Sequence, residues 1–244
     1  MDRLLEATAR AERDHFWFRG FRRFVEPLVA DAAGGRPIEI LDCGCGTGHN
    51  LHMLRRYGRA YGIDLTFSGL QYARRQGEQK VACATAGQLP FPAERFDLVT
   101  SFDVLYGLPD AVEVAAIAEM RRVLKPGGRL IVNVAALPWL RGNHSILGGE
   151  IRRYTRRDLT RRLERAGFRT LRSTYTNFSI FPIVAAVRLK QRLLGGHKES
   201  ETEISVPARP INQALSVLLA VESGALRLTN MPIGSSLLVA AERL

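Results

Sequence analysis

The chain has 244 residues, 46% of them hydrophobic, and its 35 lysines and arginines outnumber its 24 acidic residues. This composition excludes a disordered chain, and the length is typical of one large domain, alone or with an elaboration. No apolar stretch reaches the roughly 18 residues that a membrane span requires. The N-terminus lacks the apolar core of a signal peptide, and three cysteines are too few for a disulfide framework, so we expect a cytoplasmic, reduced protein.

The positive charge is unevenly distributed along the chain. Residues 121–192 contain 17 basic and only three acidic residues, whereas the rest of the chain is net acidic. Most of the basic residues are arginines, a bias that a GC-rich coding sequence also produces. Positive charge concentrated in one region favours a substrate or partner that carries negative charge.

Strands and helices alternate over the first half of the chain. A helical stretch over 2–14 leads through the aromatic cluster 15–18 to a second helix over 21–33. Strands are then predicted at 38–43, 60–64, 81–84, 96–102 and 129–135. Helices are predicted between them at 48–57, 67–76 and 110–124. This alternation predicts a doubly wound α/β fold with a mostly parallel sheet and helices on both faces.

The pattern changes after residue 137. The sequence predicts, in order, a loop at 138–154, a helix at 156–166, a strand at 168–176, apolar helices at 180–194 and 211–228, and a strand at 236–241. We therefore expect a helical N-terminal segment at 1–34, an α/β domain at 35–177, a helical insertion or cap at 178–231 and a last strand within 232–244.

A glycine-rich turn follows the first predicted strand, in the sequence LDCGCGTGHN at 41–50. Glycines let the backbone approach a ligand closely, and the free N–H groups at the following helix bind polar or anionic groups. Asp64 ends the next predicted strand, where an acidic residue typically binds ribose hydroxyls. His49 stands where a dinucleotide fingerprint needs its third small residue, so the turn favours a nucleoside without a pyrophosphate.

These residues resemble the class I S-adenosylmethionine-dependent methyltransferases, in particular the broad group that methylates quinones and natural products. The resemblance spans about residues 36–172. It rests on LDCGCGTG at 41–48, YGID at 61–64, LPFP at 89–92 with FDLV at 96–99, and MRRVLKPGG at 120–128. It implies a seven-stranded Rossmann-like sheet with an antiparallel last strand, an N-terminal helical lid over the cofactor, and a helical insertion before that strand.

The resemblance also implies S-adenosylmethionine as cofactor, with S-adenosylhomocysteine as product, and it assigns residues by position. The implied cofactor-binding residues are Asp42, Gly44, Cys45, Gly46, Gly48, Asp64, Leu65, Thr85, Ala86, Ser101 and Phe102. Asp42 and the turn would hold the methionine moiety, Asp64 the ribose and Leu65 the adenine. The sequence departs from the family twice, because Thr85 replaces the usual Asp beside the adenine and Gly107 replaces a frequent histidine.

The methyl acceptor is expected on the far side of the cofactor. His144, in the loop after the fifth predicted strand, is a candidate base, and Tyr154 is a second candidate catalytic residue. Both also have structural interpretations, as a polar loop residue and as a core residue. Five residues are further candidates for the acceptor site or its lid: His15, Trp17, Tyr106, Arg152 and Arg153. The two arginines would bind a phosphate or carboxylate of the acceptor.

The predicted function is methyl transfer to a small molecule of anionic or lipid-like character. An RNA or polyanion methyltransferase fits the charge, but no RNA-binding motif accompanies it. A scaffold that binds the cofactor without methylation stays open, since Thr85 and Gly107 depart from the family, whereas His49 disfavours an NAD-dependent reductase. No cysteine or histidine pair has ligand spacing, so no metal is predicted. The apolar helices within 178–230 either cap the core or bind a lipid-like acceptor or a membrane surface.

Overall fold

The computed structural model of the protein describes residues 9, 11–141, 149–193 and 206–244. The helices in these ranges are α1 (Phe16–Ala33), α2 (His49–Leu54), α3 (Phe67–Arg75), α4 (Asp110–Val123), α5 (Arg156–Arg165), α6 (Phe181–Leu193) and α7 (Arg209–Leu226). The strands are β1 (Ile38–Cys43), β2 (Gly58–Asp64), β3 (Val81–Cys83), β4 (Phe96–Phe102), β5 (Leu124–Ala135), β6 (Phe168–Thr176) and β7 (Ser236–Arg243).

The described strands form one seven-stranded sheet in the order β3-β2-β1-β4-β5-β7-β6. Strands β1 to β5 pair in parallel, and β7 is antiparallel to both β5 and β6. This confirms the predicted doubly wound α/β fold with its antiparallel last strand. Because β–α–β crossovers are right-handed, the reversal of strand order between β1 and β4 places the connecting helices on opposite faces.

The central strands are apolar because the sheet is covered on both sides. β1 and β4 are buried along nearly their whole length, which explains their near-continuous runs of aliphatic and small residues. The carboxyl ends of β1 and β4 lie side by side at the reversal of strand order, and ligands of open α/β sheets bind in the crevice there.

The largest differences between the predicted and observed element boundaries are at three places. β5 begins at Leu124, directly after α4, so the Lys-Pro-Gly-Gly segment expected as a turn belongs to the strand. α2 ends at Leu54 and passes into a single 3₁₀ turn, since the chain must enter β2 at Gly58. α1 begins at Phe16, five residues before the predicted start, and so includes the three aromatic residues 16–18. His15 is the N-cap of this helix, because its imidazole accepts a hydrogen bond from the backbone N–H of Trp17.

The helix α7 packs on α1, which joins the predicted insertion to the N-terminal segment. The side-chain amide of Asn212 accepts a hydrogen bond from the backbone N–H of Phe16 at 2.8 Å and donates one to the carbonyl of Asp14 at 2.8 Å. The hydroxyl of Ser223 donates to the carbonyl of Arg23 at 2.9 Å. Among the described residues, no helix is both long enough and apolar enough to cross a bilayer.

Candidate cofactor and acceptor site

The glycine turn leaves β1 at the centre of the sheet and is anchored to the end of β2. The backbone N–H groups of Gly44 and Cys45 both donate to the carbonyl of Ile63, at 2.8 and 2.9 Å. Gly44 has φ +87°, and a Cβ there would meet Val104 at 2.2 Å, so both conformation and space require glycine. Gly46 has φ +51° and faces open space, where a ligand can approach its backbone.

Asp64 lies beside this turn, at the carboxyl end of β2. Its Oδ2 accepts a hydrogen bond from the N–H of Gly46 at 2.8 Å, and its Oδ1 accepts one from the N–H of Thr66 at 2.7 Å. These bonds fix the carboxylate and leave lone pairs on both oxygens for further donors such as sugar hydroxyls. Leu65, the next residue, is exposed and offers an apolar surface beside the carboxylate.

Asp42 is buried beneath the turn and is only half satisfied. Its Oδ1 accepts a hydrogen bond from the hydroxyl of Thr100 at 2.7 Å, whereas Oδ2 has no hydrogen-bond donor among the described residues. Burial raises the pKa of Asp42 to about 7, and the nearby charge of Asp64 adds to this, although the bond from Thr100 opposes it. A cationic amine would satisfy the remaining oxygen and restore the carboxylate, so the residues fit the amino group of S-adenosylmethionine.

The other implied cofactor residues lie around the same edge. Thr85 uses its hydroxyl oxygen to accept a hydrogen bond from the N–H of Gly87 at 3.2 Å, and the adjacent Ala86 is buried. Ser101 is buried at the end of β4, and its hydroxyl has no partner among the described residues. The ring of Phe102 meets the ring of Phe21 edge to face at 5.0 Å.

Cys45 and Gly48 complete the turn. Cys45 is buried against β2, where a Cβ on Gly62 would approach its sulfur to 2.6 Å, and Gly48 makes a similarly close approach to Ala73 of α3. Burial raises the pKa of the Cys45 thiol, so the residue packs the turn as a neutral group. In the part of the chain that the structure describes, no group of three or more His, Cys, Asp or Glu residues is arranged to hold a metal.

The N-terminal segment lies directly against the glycine turn. The carboxylate of Glu12, a residue that the sequence analysis did not single out, accepts a hydrogen bond from the hydroxyl of Thr47. Arg22 donates to the backbone carbonyl of Glu12 at 2.8 Å. Trp17 is half-buried against the core and His15 is half-buried at the start of α1, so both contribute to the packing of this segment.

Asp103 is a second residue that sequence reasoning missed. It follows β4 with φ +60°, a strained conformation for a residue with a Cβ, and its Oδ1 accepts a hydrogen bond from the side-chain amide of Asn133 at 3.0 Å. Asp103 keeps access to solvent, yet the dense protein around it and the charge of Glu150 raise its pKa. A strained carboxylate at the carboxyl edge of the sheet is typical of a functional residue.

Three predicted residues of the acceptor side have carboxylate partners within the protein, and two of the three contact Glu113. The hydroxyl of Tyr154 donates to Glu113 Oε1 at 2.8 Å, and Arg152 forms ion pairs with Glu113 and, at 3.1 Å, with Asp110. Arg153 pairs with Glu150 at 2.6 Å. Tyr154 is 1% exposed, and burial raises its pKa, so its environment is that of a core residue whose hydroxyl is already bonded.

Of the remaining two candidates, one lies among the described residues and one lies outside them. Tyr106 is half-buried after β4, and its backbone carbonyl accepts hydrogen bonds from the backbone N–H groups of Ile151 and Arg152. Tyr106 therefore lies beside the end of the predicted loop at 138–154, which we call the acceptor loop. His144 lies outside the described residues. The sequence analysis did not single out Glu113, which lies on the buried face of α4 with Ala116, Ile117 and Met120. An acidic residue on an otherwise apolar helix face indicates an internal ion pair, and this signal could have identified it.

Residues 41–132 match the model of a methyltransferase domain family. The glycine turn, Asp64 and the seven-stranded sheet agree with this match and with the resemblance to the class I S-adenosylmethionine-dependent methyltransferases. S-adenosylmethionine is the cofactor of that class. The domain match covers the glycine turn, Asp64 and Asp103.

The chain is 33% identical, over 126 residues, to a ubiquinone/menaquinone biosynthesis C-methyltransferase, UbiE, of Shewanella piezotolerans, and it matches a Shewanella halifaxensis enzyme of the same name at 33% over 129 residues. Both matches cover 46% of this chain, and the chain spans about half, 49%, of the length of these relatives.

Solved structures share the fold over a larger part of the chain. The geranyl diphosphate C-methyltransferase of Streptomyces coelicolor is 16% identical with a TM-score of 0.58 and covers 90% of this chain and 78% of its own. The [4+2]-cyclase SpnF is 23% identical with a TM-score of 0.57 and covers 91% of this chain and 80% of its own. These likenesses show the fold.

Proposed function

We propose that the protein transfers the methyl group of S-adenosylmethionine to a small-molecule acceptor at the carboxyl edge of the sheet. The observation that supports this proposal most directly is that two different carboxylates lie at the glycine turn. Asp64 is ordered by the N–H of Gly46, and Asp42 is buried with only one of its oxygens hydrogen-bonded. The first suits the hydroxyls of a ribose and the second suits an amine. A nucleoside that carries an amino acid presents both groups, which is why this arrangement supports the proposal.

The cofactor supplies a methyl group that its sulfonium already activates. The protein therefore has to align the acceptor and exclude water. The N-terminal segment with α1 is suited to exclude water from the site. Phe21 packs on Phe102, and the carboxylate of Glu12 accepts a hydrogen bond from Thr47 of the glycine turn. His15 and Trp17 belong to this lid in the proposal. The packing of α7 on α1 supports a cap that includes residues 178–231.

A hydroxyl acceptor needs a base, and Asp103 is the described residue best suited to this role. Its carboxylate has solvent access, a raised pKa and a fixed orientation through Asn133. A base whose pKa approaches neutrality combines a useful ionised fraction with useful proton affinity. His144 stays a prediction for the same role. We infer structural roles for Tyr154 and Arg152, because Glu113 already occupies both side chains.

The acceptor is proposed to be an apolar or anionic small molecule. The relatives named as quinone-biosynthesis C-methyltransferases and the neighbour named as a geranyl diphosphate C-methyltransferase support this class. The internal pairing of Arg152, Arg153 and Arg162 with carboxylates weakens the case for a nucleic-acid substrate, since their charge is compensated within the protein.

We further propose a cytoplasmic protein that binds membranes at their surface through α7. Most of the buried residues of this helix are polar: Asn212, Ser216, Glu222 and Ser223 are buried together with Leu219 and Leu226. By contrast, Val217 and Val221 are 63% and 67% exposed. This inverted pattern leaves an apolar face without cover from the described residues. Exposed arginines flank it, Arg209 at the start of α7 and Arg227 directly after its end, and cations at the ends of an apolar helix face suit an anionic bilayer surface.

Calorimetric titration with S-adenosylhomocysteine tests the central proposal. We expect binding by the unaltered chain and a loss of at least about tenfold in Asp64→Ala, because charge-assisted hydrogen bonds to the ribose disappear. Asp31→Ala, an exposed acid at the end of α1, is the matched control and should bind normally. Equal binding by Asp64→Ala, or tight binding of NADH in place of the nucleoside, would contradict the proposal.

A further inference from the structure

A cavity of about 370 Å³ lies between α1 and α2, next to the glycine turn, and no step of the proposed methyl transfer uses it. Its lining is basic. Five arginines contribute to it: Arg13, Arg19, Arg22, Arg23 and Arg56. His49 and His52 of α2 add two imidazoles, and Glu26 is the acid in the lining. Since α1 and α2 are separated in the chain by β1, only the tertiary fold assembles this cluster.

The positive charge in the cavity is oriented and only partly neutralised. Arg22 and Arg23 donate to backbone carbonyls, of Glu12 at 2.8 Å and of Ser216 at 3.0 Å. A carbonyl fixes a guanidinium without cancelling its charge. The carboxylate in the lining, Glu26, already pairs with Arg56 and accepts a hydrogen bond from the hydroxyl of Tyr57 at 3.1 Å.

The pKa of His49, which lines the cavity, reflects this excess of positive charge. Burial, together with the positive charges of Arg22, His52 and Arg13, lowers the pKa of His49 to about 4. Burial likewise lowers the pKa of Arg22, and Arg19 adds to this, while Glu12 opposes it. Like charges held together in a cavity destabilise the folded protein unless an anion occupies the space.

We propose that this arginine cavity binds a phosphate or diphosphate group. Guanidinium groups form paired hydrogen bonds with phosphate oxygens, and several of them around one cavity favour a multiply charged oxyanion over a single carboxylate. Arg23 connects the cavity to α7 through Ser216, so the site adjoins the helix with the outward apolar face. A phosphate on a soluble molecule and a phosphate in a lipid headgroup share the chemistry that the site recognises. The inference does not depend on methyl transfer.

The first test titrates inorganic pyrophosphate into the full chain and follows the imidazole of His49 by NMR. We expect bound pyrophosphate to raise the pKa of His49, because an anion offsets the neighbouring cations. Saturation with S-adenosylhomocysteine should leave pyrophosphate affinity unchanged, which separates this site from the cofactor site. An unchanged pKa of His49, or competition between the two ligands, would overturn the inference.

The second test removes charge from the cavity at residues that no described hydrogen bond requires. Arg13→Gln with Arg19→Gln should weaken pyrophosphate binding by about tenfold or more, since charge-assisted hydrogen bonds to the phosphate oxygens are lost. Arg74→Gln with Arg157→Gln, two exposed arginines outside the cavity, is the matched control and should bind normally. Equal affinity in both double variants would refute the site.

A vesicle experiment separates the two sources of the phosphate. Sedimentation with phosphatidic acid vesicles that depends on Arg13 and Arg19 identifies a lipid headgroup. Binding of pyrophosphate without such dependence identifies a soluble phosphorylated molecule. Both results support the site, and failure of S-adenosylhomocysteine to bind would affect the proposed methyl transfer alone.

Discussion

The carboxylates around the glycine turn have different tasks because their surroundings differ. Asp64 is half-buried and holds two backbone N–H groups, so it is an ordered acceptor at the rim. Asp42 lies one layer deeper with one oxygen unpaired. Asp103 is exposed at the end of β4 in a strained conformation. The first two could be recognised from the motif, whereas Asp103 could not, because a positive φ leaves no mark on the sequence.

We predict that Asp42 makes the cofactor-free protein less stable as the pH rises. The pKa of Asp42 is about 7 in the folded chain and about 3.9 in the unfolded chain. The free energy of unfolding is therefore highest below about pH 4, and it falls as the pH rises towards 7 because the unfolded chain releases this proton first. Urea unfolding at pH 5 and pH 8 should show the unaltered chain losing about 2–3 kcal/mol more than Asp42→Asn. Parallel behaviour of the two proteins would show that Asp42 is ionised when buried.

A second prediction concerns Asp103. Asparagine also tolerates a positive φ, so Asp103→Asn should keep the fold while removing the base. With a hydroxyl acceptor found by screening, we expect turnover to fall about 100-fold or more and affinity for S-adenosylhomocysteine to change by less than about twofold. The pH dependence of the unaltered enzyme should show an inflection above the ordinary range of an aspartate. Unchanged turnover in the variant would assign the proton transfer to another group, such as His144.

At the scale of elements, Glu113 joins parts of the fold that the sequence keeps apart. It is fully buried on α4 and pairs with Arg152 of the acceptor loop and Arg162 of α5, while Tyr154 donates to it. Much of the basic tract at 121–192 is used in this way. The sequence showed the excess of arginine there but not the role of Glu113, since Glu113 lies on a different element from Arg152 and Arg162.

We expect Glu113→Ala to destabilise the protein by about 3–5 kcal/mol, because it leaves a partly buried Arg152 without its carboxylate. Asp110→Ala, which removes the exposed partner of the same arginine, should cost less than about 1 kcal/mol. Denaturant unfolding of both variants measures the difference. A similar small loss in both would mean that solvent reaches the network and replaces the carboxylate.

At the scale of the whole molecule, the orientation of α7 determines which surface the protein would present to a membrane. Its polar side fastens it to α1, through Asn212 and Ser223, and its apolar side faces outwards. The sequence predicts an apolar helix here but not its orientation. Polar residues at helical spacing normally mark the solvent face, and only the tertiary packing shows that they are buried.

We predict that Val217→Asp with Val221→Asp abolishes binding to vesicles of anionic lipid and leaves S-adenosylhomocysteine affinity intact, because both side chains are exposed. Sedimentation with vesicles of anionic and of neutral lipid measures the change. Val114→Asp, an exposed apolar residue on α4, is the control and should sediment as the unaltered chain does. Sedimentation of the double variant with anionic vesicles would remove α7 as the membrane-binding face.

The sequence by itself determined the order of strands and helices, the glycine turn, Asp64 and the resemblance to a class of methyltransferases, because these depend on local periodicity and on short contiguous motifs. Only the tertiary structure decided that Glu113 binds Arg152 and Arg162, that α7 turns its apolar face outwards, and that arginines of the N-terminal segment and of the turn after α2 surround one cavity. The physical reason is that charge pairing and burial depend on distances between residues far apart in the chain, and folding sets those distances.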